Sequence, residues 1–245
     1  MNLAAEMAKL PEPVTDQKPP HWAYWRLNLW EWAQNDKPEN FTKWPCVHHC
    51  MLVDHWWPGP MQAEVDYVYT SPDVQSHILN NDKNSDSRNH IHQAYHLLRW
   101  QEETGKRIAD MQTIYEFGGG YGATALVANR LGFTGKYYIY DLPEFALLQQ
   151  WYLEQQGIAN VEWRQRIVKQ DVDLLIACYS LSETTIEQRD SVLSKVNADN
   201  YLFLYSAQWE GYNNRGYFSG LDFGKTWAHS HIEHLPPESW YTWGW

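Results

Sequence analysis

From residue 86 onward the apolar positions alternate between short β-like runs and helical periods. Asp86 can cap a helix in which Ile91, Ala94, Tyr95 and Leu98 recur on one face, and Gly105 can end it. TIYEF (113–117) predicts a strand, Ala123 to Leu131 a helix closed by Gly132, KYYIY a second strand running into Asp141, and Glu144 to Gln156 a helix closed by Gly157. VEWR from Val161, VDLLIACYS from Val172, a helix through Ile186, Val192, Leu193 and Val196, and YLFLYSA from Tyr201 continue the rhythm. This βαβα alternation predicts an α/β fold with a doubly wound, Rossmann-like and mostly parallel sheet. After residue 211 it gives way to a loop and two β-like runs, HSHIEHL and SWYTWGW, separated by Pro236 and Pro237, which predict an antiparallel pair at the sheet's end. Residues 1–85, rich in Pro, Trp and Asn, show no long helical period and are expected to form an irregular N-terminal cap outside a regular domain of residues 86–245.

A chain of 245 residues fits one catalytic α/β domain with an extension, and 44% apolar with 20% charged residues supports a real core. The net charge of −11 speaks against broad electrostatic binding of nucleic acid or an anionic membrane, because phosphate contacts need clustered Lys and Arg. No run of about 18 apolar residues occurs, and the N-terminus lacks the basic, apolar, small-residue order of a signal peptide. A cytoplasmic location is expected; a homo-oligomer is left open. Cys46, Cys50 and Cys178 are too few and odd in number for a disulfide framework. The 15 Trp and 16 Tyr change the picture more, because such rings suit both core packing and amphipathic ligands such as sugar faces.

Strand TIYEF runs directly into Gly118, Gly119, Gly120, Tyr121 and Gly122, and a helix begins at once. Glycines there allow a sharp turn and close backbone approach to a ligand faced by helix N–H groups. The following strand ends in Asp141, placed to accept hydrogen bonds from ribose hydroxyls, so the pair reads as a nucleoside site. Glycine spacing alone also suits a dinucleotide. Glu116 favours a cationic cofactor, since a carboxylate just before the turn would repel a pyrophosphate.

EFGGGYG (116–122) and DLP (141–143) resemble the class I S-adenosylmethionine-dependent methyltransferases. The sequence is more closely similar to the sugar O-methyltransferase group, through YIYDLPE, the Gln- and Tyr-rich LLQQWYLEQQG, YSLSE (179–183) and the terminal HLPPESWYTWG. The resemblance covers roughly residues 86–245. It implies a seven-strand sheet with its last strand antiparallel, S-adenosyl-L-methionine held by Glu116, Gly118, Gly119, Gly120, Gly122, Asp141, Leu142, Tyr179 and Ser180, and a sugar or glycan hydroxyl as acceptor. Where such folds often carry an acidic residue after the third strand, this chain has Gln165 and Arg166.

In an open α/β sheet the ligand lies beyond the carboxyl ends of the strands. Glu183 and His234 are therefore the candidate general bases, and Gln208 and Trp209 candidate acceptor-binding residues. A structural reading competes with each: Ser182 can cap the next helix with Glu183 at its positive end, and His234 and Trp209 can be ordinary packed residues. CVHHC (46–50) with His55 has metal-ligand residue types but no second pair, and His92 and His96 share a helix face without an accompanying Glu, so no metal is expected. The cap, including Trp56 and Trp57, is expected to select the acceptor and leave the cofactor alone. An NAD-dependent oxidoreductase and a non-catalytic carbohydrate- or partner-binding protein remain the alternatives.

Overall fold

The computed structural model describes residues 1–14, 20–52, 61–72, 74, 86–235 and 238–245. His55, Trp56, Trp57, Pro236 and Pro237 lie outside them, as does the Asp86 side chain. The chain forms two compact units. One comprises Met1–His96, Gly119–Leu131 and Asp141–Ala159; the other comprises Leu97–Gly118, Gly132–Tyr140 and Asn160–Trp245.

The second unit holds the sheet. Its strands are β1 (Thr113–Phe117), β2 (Lys136–Tyr140), β3 (Val161–Arg164), β4 (Gln170–Cys178), β5 (Val196–Ser206), β8 (Trp227–Ile232) and β9 (Ser239–Gly244), with a separate small hairpin of β6 (Gln208–Trp209) and β7 (Tyr212–Asn213). The seven strands run in the order β3-β2-β1-β4-β5-β9-β8. The pairs β1–β2, β1–β4, β2–β3 and β4–β5 are parallel, and β9 is antiparallel to both β5 and β8. This is the Rossmann-like α/β sheet the sequence predicts, and its last strand lies inside the terminal antiparallel set. The order reverses between β1 and β4, and that reversal is where such sheets open a crevice beyond their strand ends.

Alternation within the strands explains the core. Tyr115 and Phe117 of β1, Tyr138 of β2, Leu175 and Ala177 of β4, and Tyr201, Phe203 and Tyr205 of β5 form one buried cluster with Val192 and Phe218. One boundary differs from expectation. The helix α8 spans Ile186–Leu193, and Val196 opens β5 instead of continuing it. In VNADN the residues Val196, Ala198 and Asn200 are buried while Asn197 and Asp199 are exposed, a period of two that the weak β-propensity of Asn and Asp conceals.

The first unit is helical: α1 (Leu3–Met7), α2 (Pro20–Asn35), a 3₁₀ turn (Pro38–Lys43), α3 (Pro45–Cys50), α4 (Met61–Thr70), α5 (Asp86–Thr104) as far as His96, α6 (Ala123–Arg130) and α7 (Pro143–Gln155). The described part of the segment expected to be irregular is thus largely helix. Proline opens α2, the 3₁₀ turn and α3, a position at which it starts helices instead of breaking them. In α2 the buried residues are the small or aliphatic Ala23, Leu29 and Ala33, flanked by partly exposed aromatic rings that blur the period. Phe41 packs on Tyr121, Trp151 and Tyr152 at ring separations of 5.3, 5.7 and 5.4 Å. No described helix is long and apolar enough to cross a membrane.

Candidate functional site

In the first unit the glycine turn and Asp141 meet. The Gly119 N–H donates to Asp141 Oδ2 at 2.9 Å, and Gln149 of α7 donates to the same oxygen at 2.6 Å and to the Gly120 carbonyl at 3.0 Å. The Leu142 N–H donates to Asp141 Oδ1 at 2.8 Å. Oδ1 therefore retains acceptor capacity for a ligand hydroxyl. Burial pushes the Asp141 carboxyl up to about 7; the bonds from Leu142, Gln149 and Gly119 act in the opposite direction, and the Glu144 carboxylate adds to the rise.

The turn glycines are needed for different reasons. Gly118, Gly120 and Gly122 all have positive φ, at 74°, 57° and 102°. A Cβ on Gly118 would lie 2.2 Å from Ser180 Cβ, and one on Gly122 would lie 3.1 Å from Leu153 Cγ. Among the described residues a Cβ on Gly120 would come within 4 Å of Met51 alone, at 3.9 Å, which leaves room beside its Cα. The sequence assigns these glycines to a sharp turn and to close ligand approach; the positive φ values fit the turn, and packing against Ser180 and Leu153 is a further constraint at Gly118 and Gly122.

The second unit carries the remaining candidates at the carboxyl end of the parallel strands. Glu116 is 1% exposed and accepts a hydrogen bond from the Tyr137 hydroxyl at 2.9 Å. Burial, and then this carboxylate, pushes the Tyr137 phenol well above its ordinary value. At the switch point the Ser180 hydroxyl donates to the Phe117 carbonyl, beside Gly118. Tyr179 has φ 62°, a costly conformation for a non-glycine residue, held by its N–H donating to the Leu204 carbonyl at 2.6 Å.

Glu183 ends the 3₁₀ turn Ser180–Glu183, and His234 lies in the turn between β8 and β9; both are half-buried. Ser239, which follows that turn, pairs in register with Ser206 at the end of β5 and lies 2.9 Å from the Tyr179 hydroxyl. The loop after β4 and the start of β9 are therefore tied together at the carboxyl ends of β4 and β5. The Ala207 N–H donates to the Glu238 carbonyl at 2.9 Å, bringing the start of the Gln208–Trp209 hairpin to the same end. Gln208 is exposed and Trp209 half-buried.

Two expectations are corrected. Ser182 does not cap α8: Thr185 does, in a capping box with Gln188, while the Ser182 hydroxyl donates to the Tyr179 carbonyl. The histidines of α5 do have an acidic partner, which comes from α4. His92 Nδ1 lies 2.9 Å from Glu64 Oε2, and His92 Nε2 lies 3.0 Å from His96 Nε2, all three side chains being buried. Among the described residues no group of three or more His, Cys, Asp or Glu is placed to hold a metal ion. Cys46 is buried and Cys50 exposed on α3. Sequence reasoning missed Gln149, Tyr137 and Ser239. For Gln149 the available signal was an amide on the apolar side of α7 between Leu148 and Tyr152; the other two depend on strand register.

No protein-family model and no curated protein sequence matches the chain. Among solved structures it is similar to a SAM-dependent methyltransferase from Aquifex aeolicus, at 15% identity over 61% of this chain and 90% of that one, with a TM-score of 0.46. It is similar to the mitomycin 7-O-methyltransferase MmcR at 12% identity over 78% and 68%, with a TM-score of 0.45. It is also similar to Aeropyrum pernix fibrillarin with natively bound S-adenosyl-L-methionine, at 15% identity over 60% and 74%, with a TM-score of 0.45. Function therefore has to be read from the chain's own residues.

Proposed function

We propose that the chain is an S-adenosylmethionine-dependent O-methyltransferase acting on a sugar or glycan hydroxyl. The observation that carries this reading is the Asp141 carboxylate, held by Gly119, Leu142 and Gln149 with Oδ1 able to accept again, beside Gly120, whose Cα has room among the described residues. Asp141 would take the ribose hydroxyls, Gly119, Gly120 and Gly122 would line the nucleoside, and Leu142 would border the base. Glu116, Gly118, Tyr179 and Ser180 would serve the amino-acid end, where the Glu116 carboxylate suits a cation and disfavours a dinucleotide pyrophosphate.

Bound S-adenosylmethionine would supply an electrophilic methyl group. The protein's tasks are then to orient the acceptor oxygen in line and to accept its proton as the oxygen–carbon bond forms. Glu183 and His234, on loops joined through Tyr179 and Ser239, are the candidate bases. Trp209 offers a ring for a sugar face and Gln208 a hydrogen-bonding amide. The acidic net charge suits a small neutral acceptor better than nucleic acid.

Calorimetry with S-adenosylhomocysteine and with NAD separates this reading from an oxidoreductase. Micromolar S-adenosylhomocysteine binding is expected, and NAD binding in its place would overturn the assignment. Methyl transfer to a panel of nucleotide sugars and oligosaccharides then tests the acceptor class; cofactor binding without any product would favour the non-catalytic carbohydrate-binding alternative.

A further inference from the structure

The N-terminal segment meets the start of α7 through an ion pair. Arg26 of α2 donates from Nε to Glu144 Oε2 at 2.9 Å and from Nη2 to Glu144 Oε1 at 3.0 Å, a two-pronged pair in which the carboxylate is 1% exposed. Glu144 occupies the first turn of α7, directly after Leu142 and Pro143, so the pair grips the helix start that follows Asp141. The neighbouring contacts agree. Trp22 of α2 packs edge-on against Phe145 at 5.7 Å, the Met1 ammonium meets Glu154 of α7 at 2.8 Å, and Met51 stands beside Gly120.

Resting on the S-adenosylmethionine reading, we infer that Arg26 is a positioning residue of the cofactor site, which holds the Glu144 carboxylate in a two-pronged pair and offsets the charge it turns toward Asp141. The groups around Asp141 support this. The glycine turn offers the neutral Gly119 N–H, α7 offers the neutral Gln149 amide and the Leu142 N–H, and the charge bearing directly on Asp141 is the Glu144 carboxylate, which opposes its ionisation. Arg26, from α2, is the cation paired with that carboxylate. A ribose site needs the Asp141 carboxylate as an acceptor, so a cation on α2, far removed in sequence, acts through Glu144 on how readily the site is charged. The N-terminal segment thus acts on cofactor binding as well as on any acceptor.

The test is a double-mutant cycle of Arg26→Gln and Glu144→Gln in the full chain, with Arg26→Lys as rescue. The first readout needs no cofactor: the carboxyl ¹³C titration of Asp141, assigned by its loss in Asp141→Asn. Arg26→Gln should move the midpoint up and Glu144→Gln should move it down, each by about one pH unit, with the lysine variant near wild type. The second readout is S-adenosylhomocysteine affinity. Arg26→Gln should weaken it about five- to tenfold at pH 7 and return it to within about twofold of wild type at pH 9, where Asp141 is ionised in both. A purely structural role would weaken binding equally at both pH values and overturn the inference, as would shifts of the same sign in the two glutamine variants or no shift in either. If Arg26→Gln does not fold, the direction of the Glu144→Gln shift decides alone. Wild-type protein that fails to bind S-adenosylhomocysteine would sink the methyltransferase reading, whereas an Asp141 midpoint insensitive to both partners would sink only the Arg26 inference.

Discussion

The Gly119–Gly122 turn with Asp141, and the loops that carry Glu183 and His234, are built in different ways. The first is made of backbone and one carboxylate: two N–H groups and one amide converge on Asp141, and glycines supply the turn. The second is assembled from side chains far apart in sequence, with Tyr179 strained at φ 62° where no glycine marks a turn and a Tyr179–Ser239 contact joining β4 to β9. On the proposed reading the first would be the nucleoside half, preset by donors fixed around one carboxylate, and the second the acceptor half, free to vary with substrate. Mutations should separate the two halves cleanly.

The largest expected effect lies in the acceptor half. Loss of the true base from Glu183→Gln or His234→Asn should lower kcat by about 100- to 10,000-fold while cofactor affinity stays unchanged, as measured by turnover at saturating cofactor. If both variants kept near wild-type kcat, proton loss to water would replace base catalysis. Next comes Gly120→Val, which places a branched side chain in the room beside that Cα and should weaken S-adenosylhomocysteine binding by about 100-fold or more while the protein stays folded. Gly118→Ala is the contrast: its Cβ meets Ser180, so its cost should fall on stability, by about 1 to 3 kcal/mol in denaturant unfolding. Wild-type cofactor affinity in Gly120→Val, or lost affinity in a folded Gly118→Ala out of proportion to its stability, would erase the distinction drawn between the two glycines.

Asp141→Asn comes third, with an expected loss of roughly 1.5 to 3 kcal/mol in cofactor binding. Its pH dependence sharpens the comparison because two slopes oppose each other. The folded-state value near 7 lies above the ordinary carboxylate value of about 3.9 in the unfolded chain, so the folded state holds the extra proton between them. That contribution to stability is fully present below about pH 3.9 and is lost as pH rises through 7. Binding runs the other way and weakens below pH 7, by at most about tenfold per pH unit, as the carboxylate is lost. As pH rises from 5 to 7 the wild type should therefore lose melting temperature that the asparagine variant does not, and above pH 7 the variant should bind cofactor less tightly. Thermal scans and calorimetry between pH 5 and 8.5 would show both, and the same pH slope of melting temperature in the two proteins would contradict the burial cost assigned to Asp141.

The same contrast explains what the sequence revealed. The βα rhythm, the sheet class and the glycine–aspartate pair were readable because each follows from neighbours in the chain: alternation for strands, positive φ for glycine, a carboxylate at a strand end. The helical N-terminal segment was hidden because its helices are proline-started and surrounded by half-exposed rings, which leaves no apolar stripe. Gly118's dependence on Ser180, the Glu64 partner of His92 and the Arg26–Glu144 pair were out of reach for another reason. Each joins residues whose separation in sequence is set by tertiary packing alone.

The smallest effect tests whether the acceptor half is one body or two loops. Tyr179→Phe removes the hydroxyl that meets Ser239 Oγ and leaves the ring, the backbone and the bond from the Tyr179 N–H in place. Such a hydrogen bond contributes about 0.5 to 1.5 kcal/mol, so folding stability should fall by that amount and no more. Cofactor affinity should change by no more than this bond's own contribution, because the Tyr179 ring and backbone, which would serve the cofactor's amino-acid end, stay in place and the Asp141 network lies in other residues. If the contact aligns the loops that carry Glu183 and His234, kcat should drop a few-fold with the acceptor KM little changed, the signature of an interaction felt chiefly in the transition state. Ser239→Ala should give the same loss, and the double variant should cost no more than either single change, since both remove one bond. Additive losses in kcat would show that the two loops contribute independently, and the acceptor half would then be two separate elements that share only one end of the sheet.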